Sequence, residues 1–481
     1  MASATITNIH AIILAAGEGK RLKSAEAKPL LPILGKRMID FSLEEFFKFT
    51  EQRELKGEAN VVVGHRKQEV IHYIGLLSSN SNNQQRISFS TQHQQLGTGD
   101  AVHSFFKEYP LHQSHYSLVM CADTPLIRAT DILQLYNYIS QDPSIDGVVA
   151  TFATETPFGY GRIIHKGEHS LRIIEEKDAT ISEKQIKEVN AGLYIFKTSF
   201  LKKAVQGLTN NNQSGEFYLT DVFIDDSATL HSFKFENGDK FLGINSLDQL
   251  EEIESILLKE KLSLLREKGV RFLSASTTYI DWDVTIDKGA IIYPHVMLLG
   301  NTSIGADTIV ESGAVIKNST VAKKVHIKAY SYIDASSIKD HASIGPFAHL
   351  RPESKIDEEV KVGNFVEVKK SVLSRGAKVS HLSYIGDAKI GEETNIGCGF
   401  ITCNYDGKQK HKTVVGNNTF IGSDCQAIAP VSIGDNAFVA AGSTITETVP
   451  SGAFAIARSR QVTKEGLAKR FLPNKSHKPN K

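Results

Sequence analysis

The sequence has few cysteines, and they are not spaced for metal binding. Its four cysteines are Cys121, Cys398, Cys403 and Cys425, and none of them forms a Cys-x-x-Cys pair. Zinc ribbons and disulfide frameworks depend on such spacings, so neither is expected here. Small buried thiols in a reducing compartment are the simpler interpretation.

The sequence also lacks an excess of charge and a long apolar run. Its 55 basic and 54 acidic residues leave a net charge of +1. This balance gives no reason to expect a nucleic-acid or membrane partner. The apolar run 9–16 is too short to cross a bilayer, and no basic segment precedes it. We therefore expect a cytoplasmic protein.

The second half of the chain carries a repeat in which one aliphatic residue recurs about every six positions. Neither a helix, with a period of about 3.6, nor a half-buried strand, with a period of about 2, produces this spacing. A hexapeptide repeat does, because each short strand turns one aliphatic residue inward and stacked coils share one core. The alternative is a β-sandwich with chance spacing. The series is Ile280, Ile286, Ile292, Leu298, Ile304, Val310, Ile316, Val321, Ile327, Ile333, Ile338, Ile344, Leu350, Ile356, Val362, Val368, Leu373, Val379, Ile385, Ile390, Ile396, Val415, Ile421, Ala427, Ile433, Val439 and Ile445.

Glycine directly follows several of these aliphatic residues. We expect these glycines to form tight corners between flat strands, since glycine adopts backbone conformations that other residues avoid. The positions are Gly305, Gly345, Gly386, Gly391, Gly397, Gly422 and Gly434.

Residues 1–249 have the pattern of an α/β domain. Short apolar segments alternate with helical stretches, which favours a Rossmann-like, mostly parallel sheet with crossover helices. Such sheets bind ligands beyond the carboxyl ends of their strands. The expected strands are 9–14, 59–63, 118–121, 147–152 and 193–196.

The remaining segments divide into an arm, the repeats and a tail. Residues 250–271 have a helical pattern, and Gly269 can end that helix. The repeats occupy residues 272–458. Residues 459–481 form a basic tail that is either a frayed terminus or a contact for an anionic cofactor.

The first apolar strand is followed by a candidate phosphate-binding loop. Its small residues let backbone N–H groups approach a polyphosphate, and two cations follow them. The loop is not a Rossmann fingerprint, because Leu22 stands where a third glycine is required, and it is not a Walker A loop. A structural turn explains its two glycines equally well. The loop comprises Leu14, Ala15, Ala16, Gly17, Glu18, Gly19, Lys20 and Arg21.

Asp123 is a candidate Mg²⁺ ligand. It follows the apolar run 117–121, where the carboxyl end of a strand is expected. Proteins usually hold Mg²⁺ through one or two carboxylates plus substrate phosphates. Capping of the turn that contains Pro125 explains the aspartate equally well. Upstream of it, residues 92–99 offer amide side chains and an open backbone that suit the edge of a pyrimidine base.

These motifs occur in the order and approximate spacing of the sugar-1-phosphate nucleotidylyltransferases. With the repeats that follow, residues 9–470 resemble the bacterial bifunctional family of N-acetylglucosamine-1-phosphate uridylyltransferase and glucosamine-1-phosphate N-acetyltransferase. The resemblance implies acetyl transfer from acetyl-CoA, then uridylyl transfer from UTP with Mg²⁺ and release of pyrophosphate. It is carried by LAAGEGKRL (14–22), KPL (28–30), QLGTG (95–99), ADTPL (122–126), FGYGRI (158–163), EEKDA (175–179), NAGLY (190–194), GEFYLTD (215–221) and GIN (243–245).

The resemblance implies roles for residues of the first domain. Repulsion between two phosphate-bearing substrates is the obstacle to this reaction, so cations and backbone donors supply most of the catalysis. The chain departs from the family at Cys121 and Ala122, where Tyr-Gly is usual, and at Lys20, where threonine is usual. By resemblance, residues 14–17 and Lys28 contact UTP, Gln92, Gln95, Gly97 and Thr98 read uracil, Asp123 and Asn245 hold Mg²⁺, and Gly161, Glu175 and Asn190 bind the sugar phosphate.

A second set of motifs matches the acetyltransferase half of the family. These are GNFVEVKK (363–370), HLSYIGD (381–387), NIGCG (395–399), ITCNYDG (401–407) and IGSDC (421–425). Position alone would make His381 one more solvated histidine, but the resemblance makes it the general base. The resemblance further implies that Arg351 and Lys369 grip the phosphate, that Tyr384, Asn395 and Asn404 orient sugar and amine, and that Cys398, Asn404, Tyr405, Ser423, Ala441 and Arg458 line the acetyl-CoA site.

Cys398 and Phe400 are further departures, since the family usually has alanine at the first position. A thiol there raises an acyl-cysteine hypothesis, although a small filler that alters acyl preference is the simpler interpretation.

The resemblance also implies a left-handed β-helix and a homotrimer with acyl sites shared between neighbours. Two alternatives remain: a nucleotidylyltransferase for another sugar or nucleotide with a purely structural solenoid, and a non-enzymatic regulatory subunit. Retention of Lys28, Asp123 and Asn245 favours catalysis.

Overall fold

The computed structural model describes residues 8–78, 86–167, 171–225 and 227–472. The tail residues Lys475, Lys478 and Lys481 lie outside these ranges. The chain divides into two compact units, residues 1–260 and 261–481. Across the described ranges, every helix is too short or too polar to cross a membrane.

The first unit is an α/β domain built on a nine-stranded sheet. A separate two-stranded ribbon is formed by β2 and β3. The described strands are β1 Asn8–Ala15, β2 Pro32–Ile33, β3 Lys36–Arg37, β4 Lys56–Val63, β5 Ile87–Thr91, β6 Tyr116–Cys121, β7 Gly147–Ala153, β8 Arg162–His165, β9 Leu171–Ile174, β10 Glu188–Lys197 and β11 Leu230–Phe235. The described helices are α1 Met38–Gln52, α2 Lys67–Ser78, α3 Thr98–Glu108, α4 Ala129–Gln141, α5 Thr198–Gln206 and α6 Leu247–Glu267, of which residues 261–267 belong to the second unit.

The large sheet has the strand order β11-β7-β10-β6-β1-β4-β5, with β8 and β9 attached at β10. β1 runs parallel to β4 and β6, and β11 runs parallel to β7. The mostly parallel sheet is therefore confirmed. The exception on this path is β10, which runs antiparallel to both β6 and β7. Gly269, with a φ of +90°, follows the end of α6.

β1 is buried on both faces of the sheet. Alternate side chains such as Ile9, Ala11 and Ile13 belong to one hydrophobic cluster, whereas Ile12 belongs to the cluster on the opposite face. Successive strand residues point to opposite faces, so a strand covered on both sides must be apolar throughout. This explains the continuous apolar run in the sequence, and it fixes the position of the loop that follows.

His10 is the polar exception within β1. Its side chain is 3% exposed, and neither ring nitrogen has a hydrogen-bond partner in the described part of the chain. The ring stacks on Phe105 at 4.8 Å and lies edge-on to His112 at 4.2 Å between ring centroids. Burial, assisted by His112, lowers the pKa of His10 to about 3. The folded protein therefore holds His10 neutral.

The buried His10 makes the first unit sensitive to acid. In the unfolded chain a histidine has a pKa of about 6.5, so as the pH falls from about 6.5 toward 3 only the unfolded state gains the proton. We expect the unfolding free energy to fall by at most about 1.4 kcal/mol per pH unit from this group. Urea denaturation at pH 7.5 and pH 5 should show a smaller loss for His10→Phe than for the wild type. Equal pH sensitivity in the two proteins would contradict the assignment, because His112, whose pKa burial also lowers, is present in both.

The second unit is a parallel β-helix with three sheets, in which strands pair with the strand three along the chain. The exception is Phe438–Val439, which pairs with Phe454–Ala455, two strands along. The first sheet contains Arg271–Phe272, Ile291–Ile292, Ile309–Val310, His326–Ile327, Ser343–Ile344, Lys361–Asn364, Lys378–His381, Asn395–Ile396, Phe420–Ile421, Phe438–Val439 and Phe454–Ala455. The second contains Tyr279–Ile280, Met297–Leu299, Val315–Lys317, Tyr332–Asp334, His349–Leu350, Glu367–Lys369, Tyr384–Gly386, Ile401–Cys403, Gln426–Ile428 and Thr444–Ile445. The third contains Thr285–Ile286, Ser303–Ile304, Thr320–Val321, Ser337–Ile338, Lys355–Ile356, Val372–Leu373, Ala388–Ile390, Thr413–Val415 and Val431–Ile433.

The six-residue aliphatic series forms the core of this unit. Every member of the series is at most 5% exposed. In-register pairs such as Val362↔Val379 and Val379↔Ile396 stack these residues from coil to coil. The hexapeptide prediction is confirmed, and the arrangement is that of a left-handed parallel β-helix.

The glycines after the aliphatic residues are required for a different reason from the one expected. Only Gly345 among the seven has a left-handed φ, of +92°. At Gly391 the next coil passes so closely that a Cβ would lie 2.4 Å from the backbone of Gly416. The left-handed corner residue instead lies two or three positions after the inward aliphatic residue, and it is often not glycine, as at Asp307 and Phe347. Close backbone approach therefore explains Gly391.

Candidate active sites

The first candidate site lies where β1 and β6 end side by side. The two strands are parallel, and Leu14 is in register with Cys121. The backbone N–H of Ala122 donates to the carbonyl of Leu14 at 3.0 Å, so the chain leaves β6 directly beside the loop that follows β1. Asp123 comes next. The structure thus places the candidate phosphate loop and the candidate metal ligand at one edge of the sheet.

Three predicted residues meet at this edge. The Lys28 Nζ donates to Asp123 Oδ2 at 2.5 Å and to Asn245 Oδ1 at 2.9 Å. The carbonyl of Asp123 also accepts the N–H of Ile244 at 2.9 Å, which fixes the segment carrying Asn245 against it. A carboxylate oxygen and an amide oxygen therefore converge on one cationic group. This donor set fits Mg²⁺, which takes oxygen ligands and few of them from protein.

A cleft of about 320 Å³ opens at the same place. It contains ten of the residues predicted for UTP and Mg²⁺. These are Leu14, Ala15, Ala16, Gly17, Lys28, Gln92, Gln95, Gly97, Thr98 and Asp123. Asn245 joins them through Lys28, so the structure brings the predicted nucleotide and metal residues together. Met38 and Glu216 also line the cleft. Met38 is outside the quoted motifs, and Glu216 lies in GEFYLTD without an assigned role.

The segment predicted to read the base is held in place before any ligand binds. The buried amide nitrogen of Gln92 donates to the carbonyl of Gly97 and to Asp100 Oδ2, both at 2.9 Å. Gly97 has a φ of +113°, and a Cβ there would lie 2.4 Å from the carbonyl oxygen of Phe217. The N–H of Phe217 in turn donates to Leu96 at 2.7 Å. These contacts pre-organise the loop.

Two departures from the family lie at this site. Cys121 lines the cleft, and burial raises the pKa of its thiol to about 12, so the thiol is neutral at pH 7. Lys20 is on the candidate loop, but its side chain is 81% exposed and pairs with Glu18 at 2.8 Å. Lys28, rather than Lys20, is therefore the cation that the loop region places in the cleft.

The residues predicted for the sugar phosphate form a separate group. A Cβ on Gly161 would lie 3.5 Å from Glu175 Oε1 and 3.6 Å from the Cβ of Asn190, so the three are neighbours. Glu175 Oε1 accepts from the hydroxyl of Thr220 at 2.8 Å, and burial raises the pKa of Glu175. The amide of Asn190 donates to the Tyr194 hydroxyl at 2.7 Å. Thr220 lies in the motif GEFYLTD and Tyr194 in NAGLY, but neither was given a role from the sequence.

The second candidate site lies on the β-helix and starts from His381. This residue ends the strand Lys378–His381 and is in register with Asn364. Its Nδ1–H donates to Asn364 Oδ1 at 2.9 Å. A donor at Nδ1 leaves Nε2 as the unprotonated nitrogen of the neutral ring. His381 is exposed, so Nε2 can reach a substrate.

His381 belongs to a column of residues that we call the acyl column: Asn364, His381, Cys398, Ser423 and Ala441. Each lies two positions after an inward aliphatic residue, and those aliphatic residues are in register on successive coils. Backbone bonds continue the stack, with Asp424 donating to Cys398 at 2.7 Å and Gly442 donating to Ser423 at 2.8 Å. The Cδ of Arg458 lies 3.4 Å from a Cβ built on Gly442. The predicted base therefore stands in line with the predicted cofactor residues.

The residues predicted for the sugar phosphate of this reaction lie on the second sheet. Arg351 donates to Glu367 Oε1 at 2.8 Å, and Glu367 is in register with Tyr384. Lys369, on the same strand as Glu367, lies 3.6 Å from Asp387 Oδ2 of the next coil. Glu367 lies within the motif GNFVEVKK, but it was given no role from the sequence.

An external loop, residues 404–412 between the strands Ile401–Cys403 and Thr413–Val415, joins this group. The Asn404 amide donates to Asp387 Oδ2 at 2.5 Å and approaches the Tyr384 hydroxyl at 3.5 Å. Lys410 on the same loop lies beside Lys369, whose ammonium lowers the pKa of Lys410. Asp387 ends the HLSYIGD motif, but neither Asp387 nor Lys410 was given a role from the sequence.

Two predicted residues lie apart from these contacts. Asn395 is on the first sheet, in register with Phe420. Tyr405 is 60% exposed on the external loop, and its hydroxyl donates to the carbonyl of Gly407 at 2.7 Å. Among the described residues, no hydrogen bond or ion pair joins the second-sheet residues to Asn395 or to the acyl-column residues that follow His381. The second-sheet residues are Arg351, Glu367, Lys369, Tyr384 and Asp387, and the acyl-column residues are Cys398, Ser423 and Ala441.

Comparison with known proteins gives matches for both units. The family described as Nucleotidyl transferase matches residues 10–234. The GMPPB C-terminal domain matches residues 279–351, and the Bacterial transferase hexapeptide (six repeats) matches residues 412–447.

Relatives match nearly the whole chain. A protein of Clostridium tetani (strain Massachusetts / E88) named Bifunctional protein GlmU is 41% identical over 464 residues, covering 96% of this chain and 98% of its own length. A protein of the same name from Thermoanaerobacter pseudethanolicus (strain ATCC 33223 / 39E) is 42% identical over 460 residues, covering 95% of this chain and 96% of its own length.

The fold and the family matches define a nucleotidyltransferase joined to a hexapeptide acyltransferase. The chain belongs to the family of bifunctional GlmU proteins. It is an enzyme of UDP-N-acetylglucosamine synthesis with uridylyltransferase and acetyltransferase activity.

Proposed function

We propose that residues 1–249 transfer the uridylyl group in the cleft at the ends of β1 and β6. The observation that carries this proposal is the convergence of Lys28, Asp123 and Asn245 within 2.9 Å contacts. Mg²⁺ held by Asp123 and Asn245 would offset the charge of the UTP phosphates. Lys28 contacts a phosphate oxygen directly and lowers the repulsion between the two phosphate-bearing substrates.

The walls of the cleft select the nucleotide. Backbone N–H groups of residues 14–17 face the polyphosphate, and Gly17 has open space around it. The pre-organised segment with Gln92, Gln95, Gly97 and Thr98 reads the uracil edge, because a fixed amide carbonyl and backbone groups recognise a base at low entropic cost. Gly161, Glu175 and Asn190 hold N-acetylglucosamine 1-phosphate, whose phosphate oxygen attacks the α-phosphorus and displaces pyrophosphate.

We further propose that residues 272–458 transfer the acetyl group along the acyl column. His381 Nε2 accepts a proton as the amine of glucosamine 1-phosphate attacks the thioester carbon of acetyl-CoA. The C–S bond then breaks and CoA leaves as the thiolate. The hydrogen bond from Nδ1–H to Asn364 keeps the ring in the tautomer that this role requires.

The other residues of this site position the two substrates. Arg351, Lys369 and Lys410 bind the sugar phosphate. Its two negative charges stabilise the neighbouring ammonium groups of Lys369 and Lys410, and the guanidinium of Arg351 pairs with the same anion. Tyr384, Asn395 and Asn404 orient the sugar and its amine. Asn404, Tyr405, Ser423, Ala441 and Arg458 line the acetyl-CoA site, and Cys398 sets the size of the acyl pocket without forming a covalent intermediate.

We propose that the enzyme acts in the cytoplasm and supplies precursors of peptidoglycan and lipopolysaccharide.

We also propose that it assembles as a homotrimer. The homotrimer is supported by an exposed aromatic ladder on the β-helix. Tyr330, Phe347 and Phe365 stack at 5.4 and 5.5 Å between ring centroids, with exposures of 60%, 46% and 56%. Exposed apolar surface of this kind marks interfaces. A neighbouring subunit would also join Asn395 and the acyl column to the second-sheet residues. Sedimentation at three times the mass of the chain tests this assembly.

Removal of divalent metal should separate the two activities. With EDTA in excess, pyrophosphate release from UTP and N-acetylglucosamine 1-phosphate should fall to background, because Asp123 and Asn245 would lack their ion. Acetyl transfer, followed as free CoA thiol, should stay within about twofold, since no step of it draws on those residues. Restoring Mg²⁺ should restore the first activity. Metal-independent pyrophosphate release would refute the metal assignment.

A further inference from the structure

Asp387 is a carboxylate to which no role has been assigned, and it connects three candidate residues of the acetyl-transfer site. Its Oδ2 accepts the Asn404 amide at 2.5 Å and lies 3.6 Å from the Lys369 ammonium. Asn404 in turn approaches the Tyr384 hydroxyl at 3.5 Å. One oxygen atom thus ties the external loop to the preceding coil.

The corner that Asp387 occupies does not itself require a carboxylate. Asp387 has a φ of +48°, and its backbone N–H donates to the carbonyl of Lys369 at 3.0 Å. Corners of the same sheet two coils or more away have the same left-handed backbone at Ala335, with a φ of +42°, and at Asn318, with a φ of +47°. Alanine is therefore accommodated at this kind of corner, and the fold does not explain the side chain.

The Asp387 carboxylate is buried, so its hydrogen bond and ion pair are needed to stabilise its charge. The Asp387 side chain is 10% exposed, and that of Lys369 is 18% exposed. A charge so far removed from water is stabilised only when paired and hydrogen-bonded. Its two partners come from different segments, and Asn404 is itself buried. Holding the Asn404 amide nitrogen directs the opposite side of that amide, its carbonyl oxygen, away from Asp387.

We infer that Asp387 is a positioning residue for acetyl transfer, which acts by holding Asn404, and with it the external loop, in the orientation that the acyl donor and amine require. The inference rests on the proposed acetyl-transfer site. Misplacement of a positioned group by about 1 Å can cost about a hundredfold in rate. Asp387 touches neither reacting atom, so it acts through its two partners. The contact with Asn404 at 2.5 Å is the closer one, and the approach to Lys369 at 3.6 Å is the weaker.

A double-mutant cycle tests this inference on the full-length enzyme. Asp387→Ala should lower kcat/KM for acetyl transfer by about 10- to 100-fold, through kcat and the KM for acetyl-CoA. In an Asn404→Ala background the same change should cost less than about threefold, because the contact is already gone. Asp387→Asn keeps an oxygen for the Asn404 amide and should lose less activity than Asp387→Ala. Asn318→Ala, at a matched corner, should leave acetyl transfer unchanged.

The outcomes separate the inference from the proposal beneath it. Full activity of Asn404→Ala would mean that the acetyl-transfer site itself is misplaced. An impaired Asn404→Ala with an equal loss from Asp387→Ala in both backgrounds would overturn only the positioning role. Full activity of Asp387→Ala, or equal losses in the Asn and Ala variants, would overturn it too. Uridylyl transfer of each variant reports folding of the chain, and the Asp387→Asn comparison stands if the alanine variant fails to fold.

Discussion

Asp123→Ala should abolish uridylyl transfer and leave acetyl transfer unchanged. The substitution removes one of the two oxygens proposed for Mg²⁺, and it also removes the partner of Lys28. That ion pair is largely screened from water, with side chains 12% and 23% exposed, so an unpaired ammonium would remain in the cleft. Loss of several kcal/mol of charge stabilisation corresponds to a rate reduction of about a thousandfold or more. Pyrophosphate release from UTP and N-acetylglucosamine 1-phosphate measures it.

The control for Asp123→Ala is the acetyl-transfer activity of the same protein. Acetyl transfer by the same preparation reports whether the variant has folded, and Asp123→Asn separates loss of charge from loss of shape. The asparagine variant should remain severely impaired, since a neutral amide neither pairs with Lys28 as an ion nor binds Mg²⁺ as a carboxylate does. Retained uridylyl transfer in either variant would remove Asp123 from the site. Loss of both activities in a folded variant would contradict the division into two sites.

His381→Ala should have the reverse effect. Without the imidazole no group in the acyl column can accept the amine proton, and general-base catalysis of this kind contributes about 10²- to 10⁴-fold. We expect kcat for acetyl transfer to fall by that factor while uridylyl transfer persists. CoA thiol release measures the first activity and pyrophosphate the second.

The matched control for His381→Ala is a histidine on the same β-helix without a role in the site. His341 is an exposed corner residue with a φ of +59°. His341→Ala should leave acetyl transfer within about twofold. A His381→Ala enzyme as active as His341→Ala would exclude His381 as the base, and the acyl column would then lose its catalytic member.

The repeat unit was predictable from the sequence because one physical requirement recurs in every coil. An inward aliphatic residue such as Ile292 or Val379 has no alternative to burial, so the spacing shows directly. The direction of β10 was not predictable in this way. An antiparallel strand between β6 and β7 is as apolar as a parallel one, and the sequence pattern does not record its direction.

The acyl column could not be predicted from sequence spacing, because the external loop interrupts the repeat. His381 and Cys398 are 17 residues apart, whereas Cys398 and Ser423 are 25 apart, yet both pairs lie on adjacent coils. The extra residues loop out between Cys403 and Thr413, so sequence spacing alone does not align the column. The hydrogen bond from His381 to Asn364 likewise depends on strand register.

The resemblance predicted which residues form the first site, but it gave no role to the residues that support the two sites. Lys28, Asp123 and Asn245 are far apart in sequence, and only the family order suggested that they meet. In the second site, Asp387 closes the HLSYIGD motif and Lys410 lies on the external loop, but neither had a role. The contacts of Asp387 with Lys369 and Asn404, and the proximity of Lys410 to Lys369, depend on the folded chain.

The most direct test of the central claim is one incubation of the pure protein with glucosamine 1-phosphate, acetyl-CoA, UTP and Mg²⁺, with the products weighed by mass spectrometry. We predict UDP-N-acetylglucosamine together with pyrophosphate and free CoA. If a UDP-sugar forms only when N-acetylglucosamine 1-phosphate replaces glucosamine 1-phosphate, the β-helix has no acyl chemistry. If no UDP-sugar forms from either substrate, both assigned activities are contradicted.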